Sequence, residues 1–226
     1  MQFFLDTASI PAIETWKAYG LVDGLTTNPA LLAKEGGDPL EQLKQVAEIV
    51  NGPVSAQVTR TDPAGMIAQG SALAEVAPNI VVKVPSTEAG LEAARELTGR
   101  GVDCNITLTF QPAQAIPFAR IPVAYVSLIV GRVEDFGLNS LDEIGATRGV
   151  LDELGSPTKL LVASLRNPTQ LAAAVMAGPD VLTVPPSTWE GAFQNPLTLQ
   201  GEKDFHAAWT RLPEAARGPY EALGSN

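Results

Sequence analysis

The sequence predicts an α/β protein folded as a single (β/α)8 barrel, a TIM barrel with a C-terminal helix, and three observations predict it. Eight short runs rich in β-branched residues recur along the chain, apolar enough to be buried on both faces as parallel strands are. A helix-compatible stretch follows each run, and most successive runs lie about 20–30 residues apart, the length of one βα unit. The phosphate loops of an open doubly wound sheet are missing: no Gly-x-Gly-x-x-Gly follows the first run, and no Gly-x4-Gly-Lys-Ser/Thr occurs.

The expected strands occupy 3–6, 22–28, 54–59, 80–85, 103–110, 123–131, 159–165 and 181–185. Between them lie helix starts of recognisable chemistry: Ser9-Ile-Pro-Ala, then Thr61-Asp62-Pro63, then Ser86-Thr87-Glu88. In the helix opened by Thr87, residues Leu91, Ala94 and Leu97 fall near one face that should cover the sheet. The segment 201–212, with Phe205, Trp209 and Leu212, reads as an amphipathic C-terminal helix.

Length and composition fit this plan and narrow the function. The 226 residues, 45% of them hydrophobic, suffice for one domain over 1–226 with a large core. A formal net charge of −10 repels nucleic acid and anionic membranes, so an anionic substrate needs a local basic site. With one cysteine, Cys104, neither an internal disulfide nor a cysteine-based metal cluster is expected. The N-terminus lacks the basic region and apolar length of a signal peptide, and no apolar run is long enough to span a membrane. A cytoplasmic protein is expected.

Barrel enzymes carry their reactive groups at the C-terminal ends of strands, which makes late polar residues informative. They are Asp6; Thr26, Thr27 and Asn28; Gln57; Lys83; Asn105 and Thr107; Ser127 and Arg132; Ser164 and Arg166. Lys83 alone among the six lysines interrupts an apolar strand, Ile80-Val-Val-Lys-Val-Pro85. A desolvated lysine, with Arg132 and Arg166 in the same cavity, has a lowered pKa and more neutral amine. Neutral amine attacks a ketone, and the resulting iminium is an electron sink for making or breaking the adjacent carbon–carbon bond without metal or organic cofactor. The alternative is a structural ion pair with Asp6 or a lysine projecting into solvent.

Asp6 reads as an acid/base, as a counter-ion of Lys83, or as a polar strand end; beside an ammonium it should stay ionised. Thr107 and Gln57 could hold the water exchanged during Schiff-base formation, or be satisfied within the strands. Asn28 and Asn105 could bind substrate hydroxyls, although Asn28 before Pro29 also suits a helix entry. Arg166 and Arg132 could take a phosphate, with Ser164 as a neutral donor, or form surface ion pairs. The lone His206 falls away from this set, and Glu134-Asp135 reads as a solvated acidic pair, so no metal site is expected.

Taken in order, Phe4-Leu-Asp-Thr7, Gly24-Leu-Thr-Thr-Asn-Pro29, Val82-Lys-Val-Pro85, Asn105-Ile-Thr-Leu108, Val130-Gly-Arg132 and Ala163-Ser-Leu-Arg166 resemble the transaldolase family, in the short-chain branch that includes the fructose-6-phosphate aldolases. The resemblance covers nearly the whole chain. It implies Lys83 as the Schiff-base residue, Asp6 as acid/base and Thr107 with Gln57 as the water-holding pair. It further implies Asn28, Asn105 and Ser127 as partners of substrate hydroxyls, Thr26 as a further substrate-binding residue, and Arg166, Ser164 and Arg132 as the phosphate site. The implied reaction moves a dihydroxyacetone unit between sugar phosphates, with no cofactor, in a homo-oligomer, a pentamer or decamer.

The alternatives are an aldolase acting on free dihydroxyacetone, a specialised relative from outside central metabolism, and a silent sugar-phosphate-binding barrel. Three departures bear on the choice. Ser127-Leu128-Ile129 stands where the family carries Ser-Pro-Phe or Ala-Pro-Tyr, so an aromatic is replaced by Ile129. Ser86 follows the Lys-Val-Pro motif, and Pro185-Pro186 replaces a single proline.

Overall fold

A computed structural model describes residues 1–224. Eight parallel strands close into a barrel in sequence order: β1 (Gln2–Asp6), β2 (Gly24–Thr26), β3 (Val54–Gln57), β4 (Ile80–Pro85), β5 (Cys104–Thr109), β6 (Tyr125–Ile129), β7 (Lys159–Ala163) and β8 (Val181–Val184), with β8 returning to pair with β1. Each expected strand is present. The second and sixth are shortened most, by four residues each; in the second, Asn28 leaves the strand to cap a helix, accepting hydrogen bonds from the backbone N–H groups of Ala30 and Leu31.

The period of two in each strand separates an outer from an inner face. Leu5, Leu25, Val54, Ala56, Val82, Val84, Ile106, Val126, Leu128, Leu160, Val162, Leu182 and Val184 point outward into the main core beneath the helices. The alternate residues fill the barrel interior. Phe4, Val81, Tyr125, Leu161 and Val181, with Ile129 and Ala163 further along β6 and β7, form a second, apolar cluster there. Phe4 has room because Gly24 beside it has no side chain; a Cβ there would lie 2.6 Å from the Phe4 ring. On β1 to β5 the late inward residues are polar: Asp6, Thr26, Gln57, Lys83 and Thr107.

The barrel's helices are α1 (Ile10–Ala18), α2 (Pro29–Glu35), α3 (Pro39–Ile49), α4 (Pro63–Ala74), α5 (Glu88–Gly99), α6 (Ala115–Phe118), α7 (Val130–Asp135), α8 (Ser140–Glu153) and α9 (Pro168–Met176), with α10 (Pro186–Phe193) following β8. Their starts have local causes. Asp38, Asp62, Thr87, Asn139 and Asn167 each accept a first-turn backbone N–H, and α2, α3, α4 and α9 begin on proline, whose fixed φ suits that position. As expected, Ala94 and Leu97 of α5 are buried, with Leu91 partly buried against the same core.

Two compact units divide the chain, 1–189 and from Glu190 onward. The second contains α11 (Pro196–Thr210), which is the expected C-terminal helix, and a further helix α12 (Glu214–Glu221). These two form a hairpin: the Trp209 and Tyr220 rings lie 5.0 Å apart, and the Trp209 indole donates to Glu221 at 2.8 Å. His206 lies in α11. No helix among the described residues is long and apolar enough to cross a membrane.

Candidate active site

The C-terminal mouth of the barrel holds a cavity of about 490 Å³, lined by Asp6, Asn28, Pro29, Ala30, Gln57, Lys83, Thr107, Leu108, Ile129, Arg132, Ala163 and Ser164. Strand register assembles it. Gln57 pairs with Lys83 across β3 and β4, while across β4 and β5 Lys83 pairs with Asn105, and Thr107, one inward position later, is the β5 residue that reaches the cavity. Seven of the eleven expected site residues line this cavity: Asp6, Asn28, Gln57, Lys83, Thr107, Arg132 and Ser164.

Lys83 lies two residues beyond Val81 on the same inward face and is only 6% exposed. Its Nζ donates to the carbonyl oxygen of Thr27 at 3.2 Å. Burial pushes the Lys83 ammonium below the ordinary lysine range, and the Asp6 carboxylate offsets that in part. Desolvation by the barrel is thus the cause, as the sequence suggested, and the two arginines add nothing to it. For Asp6, burial raises the pKa, and this outweighs both the Lys83 charge and the hydrogen bond from Thr26. Each group is held closer to its neutral form than in water.

Four residues expected at the site are elsewhere. Thr26 is buried beneath Asp6, donating its hydroxyl to Asp6 Oδ1 at 2.7 Å. Its single hydroxyl hydrogen is thereby used, so Thr183, also 2.7 Å away, is the donor to Thr26. Asn105 and Ser127 are wholly buried. The Ser127 hydroxyl donates to Asn105 Oδ1 at 2.6 Å and the Asn105 amide donates to Ser55 at 2.9 Å, a relay running inside the barrel from β6 through β5 to β3. Of these groups, Thr26 orients Asp6, while Asn105 and Ser127 tie strands together inside the barrel.

Arg166 is the fourth. Its guanidinium makes a two-pronged ion pair with Asp135, Nη1 to Oδ1 at 2.5 Å and Nη2 to Oδ2 at 2.6 Å. Glu134, the neighbouring acid, is held by the Ser140 hydroxyl at 2.6 Å and by the Gln170 amide. The Glu134-Asp135 pair is therefore engaged by polar partners and is not simply solvated. No cluster of possible metal ligands occurs among the described residues.

Two cavity residues had no forewarning in the sequence as backbone features. Leu108 and Ser164 are the non-glycine residues with positive φ among the described residues, at 59° and 67°, and both line the cavity. Such a conformation costs of order 1–3 kcal/mol and persists only where surrounding structure enforces it. At Leu108 the enforcing feature is a register shift between β5 and β6. At Ser164 it is the close approach of α7: a Cβ on Gly131 would lie 2.4 Å from the Ser164 carbonyl oxygen and 2.6 Å from its Oγ. Asn28 is dual: its Oδ1 caps α2 while the residue lines the cavity.

Chemically, the mouth combines a buried amine disposed to be neutral, a carboxyl group of raised proton affinity, an amide and a hydroxyl, with a cation and a serine toward its rim. Cys104 takes no part, since burial pushes its thiol up to about 12.

Sequence comparisons converge on one family. A model described as Transaldolase/Fructose-6-phosphate aldolase matches residues 3–217. A protein of Phenylobacterium zucineum (strain HLK1) named "Probable transaldolase" is 43% identical over 215 residues, 95% of this chain and 99% of its own. One of the same name from Caulobacter sp. (strain K31) is 42% identical over 209 residues, 92% of this chain and 96% of its own. In fold alone, the crystal structure of a "putative fructose-1,6-biphosphate aldolase" from Coccidioides immitis is similar at a TM-score of 0.57 and 13% identity, over 89% of this chain and 82% of that one. With the family model spanning nearly the whole chain and the relatives aligned almost end to end, the chain belongs to the transaldolase/fructose-6-phosphate aldolase family.

Proposed function

We propose that the protein is a transaldolase that carries a dihydroxyacetone unit from a ketose phosphate to an aldose phosphate as a Schiff base on Lys83. The observation that carries this reading is the Lys83 amine itself, buried at the floor of a polar cavity with its pKa lowered. The neutral amine adds to the ketone carbonyl, and loss of water leaves an iminium. Asp6, a stronger base than an ordinary carboxylate, takes the proton of the hydroxyl beside the scissile bond. That bond breaks, its electron pair enters the iminium to give an enamine, and an aldehyde leaves. The enamine carbon then adds to the acceptor aldehyde, and water releases the product from Lys83.

Gln57 and Thr107 border the cavity on either side of Lys83, on β3 and β5, and fit the binding of the water that leaves and returns. Asn28 fits a substrate hydroxyl, while Arg132 and Ser164 at the rim fit a phosphate. Thr26, Asn105 and Ser127 act from beneath, as positioning residues. Ile129 favours transfer over release of free dihydroxyacetone: it lines the cavity and offers no hydroxyl to protonate the enamine. In a coupled assay, three-carbon transfer is expected to need an acceptor aldehyde and to vanish in Lys83→Ala. Release of free ketone at a comparable rate without acceptor would instead make the protein an aldolase.

The assembly read from the resemblance, a homo-oligomer, is supported by apolar side chains on the C-terminal unit: Leu197, Phe205, Tyr220 and Leu223 are all more than 60% exposed. Light scattering is expected to give a mass several times that of one chain, and a monomer at micromolar concentration would exclude it.

A further inference from the structure

The barrel mouth carries its own competitor for a phosphate. Four charges surround the rim beside Ser164: Arg132, Glu134 and Asp135 on α7, and Arg166 after β7. They sum to zero. Arg132 lines the cavity and makes no ion pair among the described residues. Arg166 does not line it, yet its Nε would lie 2.8 Å from a Cβ on Gly131, the same missing Cβ that would touch Ser164. Arg166 and the cavity residue Ser164 thus face one gap over Gly131, and the two outer nitrogens of the Arg166 guanidinium are occupied by Asp135.

Of the two acids, Asp135 alone is free to yield. Glu134 is fixed by Ser140 and Gln170, and Gln170 also accepts the backbone N–H of Arg166 at 2.7 Å, which anchors that residue's main chain. The Arg166 and Asp135 side chains are 48% and 52% exposed, so an anion from solvent can reach the pair and exchange with the carboxylate. Asp135 presents to Arg166 the same two-oxygen face that a phosphate would.

We infer that Asp135 is a specificity-setting residue, a resident carboxylate that occupies Arg166 and that a substrate phosphate must displace, holding down the preference for phosphorylated over unphosphorylated substrates. The inference rests on reading the cavity as a sugar-phosphate site. It concerns affinity for the anion alone, so it can be tested without the Lys83 chemistry.

Orthophosphate titrated calorimetrically into the full-length protein is the direct probe. Asp135→Asn is expected to bind it about five- to tenfold more tightly than the native protein, since both a competing partner and a nearby negative charge are removed. The gain should disappear in Asp135→Asn/Arg166→Met. In turnover, the ratio of kcat/KM for glyceraldehyde 3-phosphate over glyceraldehyde as acceptor should rise by a similar factor. Equal or weaker phosphate binding in Asp135→Asn would overturn the inference and leave the pair as a clasp between α7 and the β7–α9 loop. A gain that survives Arg166→Met would overturn it too. A Lys83 that forms no Schiff base would defeat the proposed reaction while leaving the orthophosphate titration to decide this point alone.

Discussion

Lys83 and Asp6 are held against their preference for water, and the two shifts have opposite consequences for stability. The folded Lys83 releases its proton more readily than the unfolded chain's lysine, so across that window the unfolded state binds more protons and stability rises with pH. Folded Asp6 holds its proton more tightly than the unfolded aspartate, so stability falls as pH rises from the ordinary carboxylate value to the raised one. Around neutrality the barrel bears the cost of whichever charges remain. Asp6→Asn/Lys83→Met should therefore be inactive yet melt at or above the native temperature, because replacing buried charges by groups of similar volume is often neutral or stabilising by about 1–4 kcal/mol. A clear fall in Tm on a calorimetric scan would argue against it. Activity has its own dependence: kcat/KM should rise with pH along a limb lying below the ordinary lysine value, and its disappearance from the profile would mean that amine deprotonation does not limit attack.

At the level of elements, alternation made the inward set legible while depth stayed hidden. Ser55 and Gln57, Asn105 and Thr107, Ser127 and Ile129 are pairs of equal parity two residues apart, and only the later member of each lines the cavity. Parity is local to a strand, whereas depth depends on the stagger of eight strands around a closed barrel, a non-local quantity. For this reason Thr26, Asn105 and Ser127 read as cavity residues and lie in the layer below. Arg166 escaped for another reason: it lies past its strand end, and a partner 31 residues away sets its direction. The left-handed Leu108 has no sequence signature, since neither glycine nor asparagine marks it. Gly131 is testable at this scale. Its Cα faces Ser164 too closely for a methyl group, so Gly131→Ala should displace the start of α7 and cost about 1–3 kcal/mol. Substrate KM should rise more than Tm falls; an unchanged KM would mean that α7 does not set the rim.

For the whole molecule, the strand order and the eight runs followed from buried parallel strands having no polar face, which makes them conspicuous in sequence. Reactive groups are confined to one end, and the opposite end serves stability. There Asp180 accepts from Arg148 and from the Leu160 backbone N–H, each at 2.7 Å, tying α8, β7 and the start of β8 together. Asp180→Ala should cost about 1–2 kcal/mol, since these are partly exposed charged hydrogen bonds, and lower Tm by a few degrees with kcat/KM within about twofold. A large loss of activity at native stability would contradict this division of labour. The division converges on one amine. Borohydride reduction in the presence of a ketose phosphate, followed by peptide mass analysis, tests it most directly: a reduced three-carbon adduct is expected on the peptide containing Lys83 and on no other lysine. A protein that turns over substrate and yields no adduct there, or carries it on a different lysine, would contradict the account.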